Sequence, residues 1–210
     1  MSVETMQPLD TSNYRKHTTS SKLQRMLIDR FHAKITNEVA KLAPRTLLDA
    51  GCGEGFVAEI FLKAMPGLQI TGFDHNEPSV KLAAQRNPTG TFTVGDIFNI
   101  EHPDNSFDVV CCFEVLEHLV DPGKAVQEMV RVAKRAVVFS VPHEPFFCAA
   151  NAMRGKNWHV RPIGSDEDHR NFWRKSQFGA FVGRYADVQV LTGSMPWIIC
   201  VATPKDSPQR

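Results

Sequence analysis

From Ser21 to Leu42 the apolar side chains Leu23, Met26, Leu27, Phe31, Ile35, Val39 and Leu42 recur every three or four positions. That spacing predicts one face of a helix, which Pro44 ends. Beyond it the pattern shortens. Apolar runs at Thr46–Ala50, Leu68–Phe73, Thr91–Val94, Phe107–Phe113 and Ala136–Val141 predict strands, the fourth so continuously apolar that both of its faces should be covered. Between them, helices are predicted at Phe56–Met65, closed by Pro66-Gly67, at Pro78–Arg86, opened by its proline, and at Pro122–Ala133. The last of these carries Ala125, Val126, Met129, Val130 and Ala133 on one stripe. Residues 142–173 have no clear period, and then Lys175–Tyr185 reads as helix and Val188–Leu191 and Ile198–Ala202 as strands.

Strands alternating with helices imply right-handed crossovers, and so an α/β, doubly wound, mostly parallel sheet of seven strands. The last two strands are separated only by Thr192–Trp197, too short for a helical crossover, so that pair should be antiparallel. The expected organisation is an N-terminal arm and helix over residues 1–42, packed on one domain at 43–205. Residues 142–173 would form a loop-rich lid at its ligand edge.

Composition narrows the classes. A chain of 210 residues, 42% hydrophobic and 22% charged, is ordinary for a folded domain and excludes a disordered tail, a collagen and a coiled coil. With 24 Lys+Arg against 23 Asp+Glu, its charge of +1 gives no global attraction to nucleic acid or an anionic membrane. The longest apolar runs, Val109–Phe113 and Trp197–Ala202, fall far short of the ~20 residues of a membrane helix. MSVETMQPLD lacks the apolar stretch of a signal peptide. Five cysteines without CxxC spacing fit a reduced, cytoplasmic setting.

Chemistry should gather beyond the carboxyl ends of the strands. The first strand runs into Leu48-Asp49-Ala50-Gly51-Cys52-Gly53-Glu54-Gly55. Its glycines allow a sharp turn and bring backbone amides close to a ligand. The register is GxGxG rather than the GxGxxG of dinucleotide sites, and an acid precedes it. Asp49 would repel a pyrophosphate but can hold an ammonium, which favours a cofactor with an amino-acid end. Asp74 closes the second strand, where a carboxylate can accept from ribose hydroxyls. At the end of the third, Asp96 can accept from an adenine amino group while Ile97 packs on the ring; taken alone, Asp96 also suits a helix cap.

With these motifs the chain resembles the class I S-adenosylmethionine-dependent methyltransferases, in the branch that includes ubiquinone-type O-methyltransferases. The resemblance runs through LLDAGCGEGF, GFDHNEPSV, VGDIFNI, FDVVCCFEVLEHLVDP and VVFSVPHEP to the closing MPWIICVA. It implies a seven-stranded sheet with an antiparallel last strand, and S-adenosylmethionine as cofactor. It implies Gly51, Gly53 and Gly55 beside the methionine and ribose, Asp74 on the ribose and His75 near the adenine. Asp96 and Ile97 would hold the adenine, and the Phe113 backbone would meet the amine. It also implies that Asn13–His17 folds over the cofactor.

Methyl transfer is an in-line displacement in which positioning dominates, but an oxygen nucleophile often needs a base or a metal. Glu114-Val115-Leu116-Glu117-His118 follows the fourth strand. As a helical turn it would put Glu114, Glu117 and His118 on one face, a donor set for a divalent cation such as magnesium. A similar ExxEH turn, joined by a later histidine, holds a divalent ion in small-RNA 2′-O-methyltransferases and in some ubiquinone-type enzymes; here that histidine would be His169. The alternative is a purely structural turn. His143, just after the fifth strand, is a candidate general base alongside His118 and His169, or a structural residue. The lid aromatics Phe146, Phe147, Trp158 and Trp173, with His159, either shape the acceptor site or plug the lid onto the domain. Lid cations Arg154, Lys156, Arg161, Arg170 and Arg174 and the basic stretch 13–34 read as a solvated face or as contacts to an anionic acceptor. The expected function is methyl transfer to a small-molecule acceptor, at oxygen, by a monomer or homodimer. The rivals are a metal-dependent RNA ribose 2′-O-methyltransferase and a cofactor-binding scaffold without transferase activity.

Overall fold

A computed structural model describes residues 21–144, 148, 159–160, 165 and 167–205. Helix α1 (Lys22–Lys41) begins at Ser21, whose side chain accepts the Gln24 N–H, and ends at Leu42. Strand β1 (Thr46–Ala50), helix α2 (Phe56–Ala64), strand β2 (Gln69–Asp74), helix α3 (Glu77–Arg86) and strand β3 (Thr91–Val94) follow. Then come β4 (Phe107–Phe113), a single 3-10 turn at Leu116–His118, α4 (Pro122–Val132) and β5 (Ala133–Pro142). Helix α5 (Lys175–Val182) and strands β6 (Ala186–Ser194) and β7 (Trp197–Pro204) close the fold.

The seven strands lie in the order β3-β2-β1-β4-β5-β7-β6. Strands β1 to β5 pair in parallel, while β7 runs antiparallel to both β5 and β6. The expected α/β sheet and its antiparallel closing hairpin are both present. Successive strand residues face opposite sides, so the central strands divide their side chains between two cores. Leu48, Val110, Cys112, Val137 and Phe139 meet Met129, Phe178 and Phe181 from α4 and α5. Leu47, Val109, Cys111 and Val138 meet Phe31, Ile35, Val39 and Phe61 from α1 and α2.

The order reverses at β1, which lies between β2 and β4, with Asp49 opposite Gly72 on one side and Cys111 on the other. A crevice opens at such a switch point, between the loops that leave β1 and β4. Several bounds differ from the sequence pattern, among them those of β2, α3, β6 and β7. The buried stripe of α1 runs through Ile28, Phe31, Ile35 and Val39, whereas Leu23 and Met26, in its first two turns, are exposed. Strand β5 starts at Ala133 because that residue caps α4 and already pairs with Phe107. Helix α5 ends at Val182 with Gly183 as its cap, well before Tyr185. Among the described residues no helix is long and apolar enough to cross a membrane.

Candidate functional site

A cavity of about 580 Å³ opens at the switch point, lined by Asp49, Gly51, Cys52, Gly53, Phe73, Asp74, Asp96, Ile97, Phe113 and Glu114 among others. Its floor is the loop after β1. Gly51 has φ of +83°, and a Cβ there would lie 2.6 Å from Val115 Cγ2, so only glycine lets this loop meet the turn after β4. The Gly51 and Cys52 N–H groups both donate to Phe73 O, at 2.8 and 2.9 Å, which ties the loop to the end of β2. Gly55 stands apart from the cavity walls. At φ +76° it caps α2 against α3, where a Cβ would come within 2.9 Å of the Ala83 backbone, and its carbonyl accepts from Asn87 Nδ2. Of the three loop glycines, two line the cavity and the third is a packing residue.

Asp49 is 2% exposed, and among the described residues its Oδ2 has no hydrogen-bond partner. Burial, reinforced by the nearby Asp74 charge, pushes its carboxyl up to about 7. A buried carboxylate in that state is a receptor for a cation. Asp74 is differently placed. Its Oδ2 accepts the Gly53 N–H at 3.0 Å and its Oδ1 the Asn76 N–H at 2.9 Å, each oxygen keeping a further lone pair. The His75 side chain is 92% exposed at the rim, with Nδ1 3.2 Å from Asp74 Oδ1. At the end of β3 the Asp96 Oδ1 accepts the Phe98 N–H at 2.9 Å, within a turn rather than at a helix cap. Ile97 is buried between this wall and the core. Phe113 lies edge-on to Phe31 and Phe61, which holds the end of β4 at the cavity.

The turn after β4 corrects one expectation. Glu114 has φ of +59° and lies outside the 3-10 turn, so it does not share a face with Glu117 and His118. Its Oε1 accepts from Ser140 Oγ at 3.0 Å and its Oε2 from Trp197 Nε1, which commits the carboxylate to β5 and β7. Glu117, His118 and His169 do come together, with one ligand atom from each within 4.8 Å of the others. His118 Nδ1 lies 3.2 Å from the Asp168 carbonyl, which can only accept, so Nδ1 carries the proton, and Nε2 lies 3.9 Å from Glu117 Oε1. Arg170 and Asn171 both donate backbone N–H groups to Glu117 O, and Asn171 Nδ2 donates to Leu116 O and Leu119 O. These bonds lace the segment carrying His169 to the turn carrying Glu117. His118 also lines the large cavity, so the two features adjoin.

His143 is not among the residues lining the cavity; its N–H donates to Pro196 O at 2.7 Å and it bridges to Trp173. Burial, then the charges of Lys175 and Arg174, lower its pKa. Trp173 belongs to the core, packed on Phe178 and Phe181. His159 makes an exposed pair with Glu167. The five cysteines carry no disulfide. Asn13–His17, Phe146, Phe147, Arg154, Lys156, Trp158 and Arg161 lie outside the described residues. The motifs did not single out Phe56, Val57 or Leu119 as cavity walls, nor Asn171 as a tie between segments, because apolar walls and backbone clamps leave no spacing to read.

Comparison with known proteins points the same way. Residues 48–141 match the family described as Methyltransferase domain. A probable S-adenosylmethionine-dependent methyltransferase of Mycolicibacterium smegmatis is 33% identical over 129 residues, 60% of this chain and 49% of that protein. The chain thus spans about half the length of the first curated relatives it matches. The ubiquinone biosynthesis O-methyltransferase of Pseudomonas syringae pv. tomato is 32% identical over 167 residues, 73% of this chain and 68% of that protein. Ajmaline N-methyltransferase of Rauvolfia serpentina is 32% identical over 132 residues, 58% of this chain and 45% of that protein. Among solved structures, the PH0226 protein of Pyrococcus horikoshii aligns with a TM-score of 0.70 at 17% identity, covering 91% of this chain and 96% of that one.

Proposed function

Because the chain belongs to the class I S-adenosylmethionine-dependent methyltransferases, we propose that it transfers a methyl group from S-adenosylmethionine to a small-molecule acceptor, at oxygen. The observation that carries this reading is Asp49. It is a buried carboxylate whose Oδ2 lacks a partner among the described residues, in a cavity that also presents Asp74 and Asp96. Three acids at the ends of three successive strands suit the ammonium, ribose and adenine of one ligand. When bound, the cofactor supplies a sulfonium-borne methyl that a nucleophile displaces in line.

The chain's own part is to hold and orient. Asp49 accepts the ammonium, and Gly51 and Gly53 let the loop approach closely. Asp74 accepts from the ribose with the lone pairs that Gly53 and Asn76 leave, and His75 lies at the rim near the adenine. Asp96 accepts from the adenine amine, Ile97 packs on its ring, and the Phe113 backbone meets the amine end. Phe56, Phe73 and Phe113 give the cavity apolar walls. Orientation of this kind is the larger part of catalysis for a displacement between positioned partners.

The relationship to an O-methyltransferase supports oxygen as the acceptor atom. So does the donor set beside the cavity. Glu117, His118 and His169 offer a carboxylate and two imidazoles, which suits a divalent transition-metal ion such as manganese better than magnesium. Glu117, His118 and His169 would hold such an ion, and it would supply Lewis acidity toward an acceptor hydroxyl. Calorimetric titration with S-adenosylmethionine tests the cofactor reading: the wild type binds, and Asp49→Ala loses at least tenfold in affinity. Equal affinity in both contradicts it.

A further inference from the structure

We propose that Glu144 is a positioning residue, which fixes His169 in its Nδ1-protonated tautomer and so makes Nε2 the nitrogen that would ligate a cation held with Glu117 and His118. This rests on the cation reading above and extends it to a residue beyond the three donors. Glu144 follows β5, and its N–H donates to Trp173 O at 3.3 Å, beside the His143–Trp173 bridge. That pairing brings the end of β5 alongside the segment carrying His169. The Glu144 and His169 side chains are 8% and 2% exposed, and Glu144 Oε1 lies 2.9 Å from His169 Nδ1. Its Oε2 accepts from Cys148 Sγ at 3.0 Å, which fixes the second oxygen.

A carboxylate oxygen only accepts, so Nδ1 is the protonated nitrogen and Nε2 the one that can ligate. Orientation of a ligating histidine by a carboxylate on its other nitrogen also raises the basicity of the imidazole. His118 is set the same way by a backbone carbonyl, Asp168 O. Both imidazoles beside Glu117 are therefore anchored through Nδ1. A pair serving only to pack the segment has no need of two matched tautomers.

The test uses the full chain and Mn²⁺ alone, with free Mn²⁺ read by electron paramagnetic resonance. Long-range ¹H–¹⁵N correlation of the histidine rings reports the His169 tautomer. The expected results are an Nδ1-protonated His169 in the wild type, and Mn²⁺ affinity roughly 10- to 100-fold weaker in Glu144→Ala. Glu144→Gln, which keeps an acceptor but not the charge, falls between. S-adenosylmethionine affinity and the thermal midpoint of Glu144→Gln stay near wild type, which controls for folding. Wild type and both variants titrating alike overturns the role of Glu144 and leaves the cation site standing. A cofactor affinity that falls as far as Mn²⁺ affinity overturns it too, by making Glu144 a structural residue. A wild type that binds no Mn²⁺ overturns the cation reading itself.

Discussion

The carboxylate of Asp74, at the end of β2, accepts the backbone N–H of Gly53 in the loop after β1, at 3.0 Å. One acid therefore both shapes the glycine loop and faces the cavity. Asp74→Ala removes a ligand acceptor and strands the Gly53 N–H, so S-adenosylmethionine affinity falls at least tenfold, about 1.4 kcal/mol. Asp74→Asn keeps one acceptor oxygen and loses less. Calorimetry on both variants checks the order, and an unaltered affinity in the alanine variant contradicts it.

Asp49 makes binding depend on pH. Burial and the Asp74 charge hold its carboxyl at about 7, whereas an unfolded aspartate titrates near ~4. Between those values the folded chain binds more protons than the unfolded one, so this group's contribution to stability declines as pH rises from about 4 to about 7. An ammonium beside Asp49 favours the ionised form, so cofactor binding below pH 7 releases a proton. Affinity then weakens as pH drops through 7, approaching tenfold per pH unit (~1.4 kcal/mol). Titrations in buffers of different ionisation enthalpy read the released proton, and Asp49→Asn abolishes it.

Gly55 separates packing from binding within one motif. Gly55→Ala imposes φ of +76° on an alanine and a contact of 2.9 Å with the Ala83 backbone. The cost is about 1–3 kcal/mol of stability, a midpoint lower by about 2–4 °C per kcal/mol for a domain of this size. Cofactor affinity below the melting range is unchanged. Gly51→Ala presses on Val115 at the cavity wall instead, and lowers affinity. Thermal melts paired with calorimetry on the two variants distinguish them.

What could be read from sequence follows from where side chains repeat. Strands β1 and β4 match their apolar runs end to end, because both faces of a buried strand must be apolar or small; β3 matches too, although it is a largely exposed edge strand. β6 alternates between half-buried and exposed residues, so only its middle was visible as a run. Asp49, Asp74 and Asp96 were legible because strand ends bring them to one edge. Glu114 was misplaced because spacing assumes a continuous helix, and its left-handed φ breaks the turn before it starts. Glu144 was hidden: its partner is 25 residues away, across a segment with no periodicity.

The altered role of Glu114 has its own check. Its carboxylate is bound to Ser140 and Trp197, and the Glu117 carboxylate lies with His118 and His169. Glu117→Gln therefore weakens Mn²⁺ binding at least about tenfold, ~1.4 kcal/mol, and Glu114→Gln leaves it unchanged. A reversed pattern restores Glu114 as a ligand.

Methyl transfer to a small molecule is tested most directly with methyl-labelled S-adenosylmethionine, added with the protein to a cell extract with and without chelator. The products are separated into RNA, polar small-molecule and lipid-soluble fractions. Label in a small-molecule fraction, lost on chelation, is the predicted result. Label confined to RNA contradicts the small-molecule acceptor, and no label in any fraction, with the cofactor bound, contradicts transferase activity.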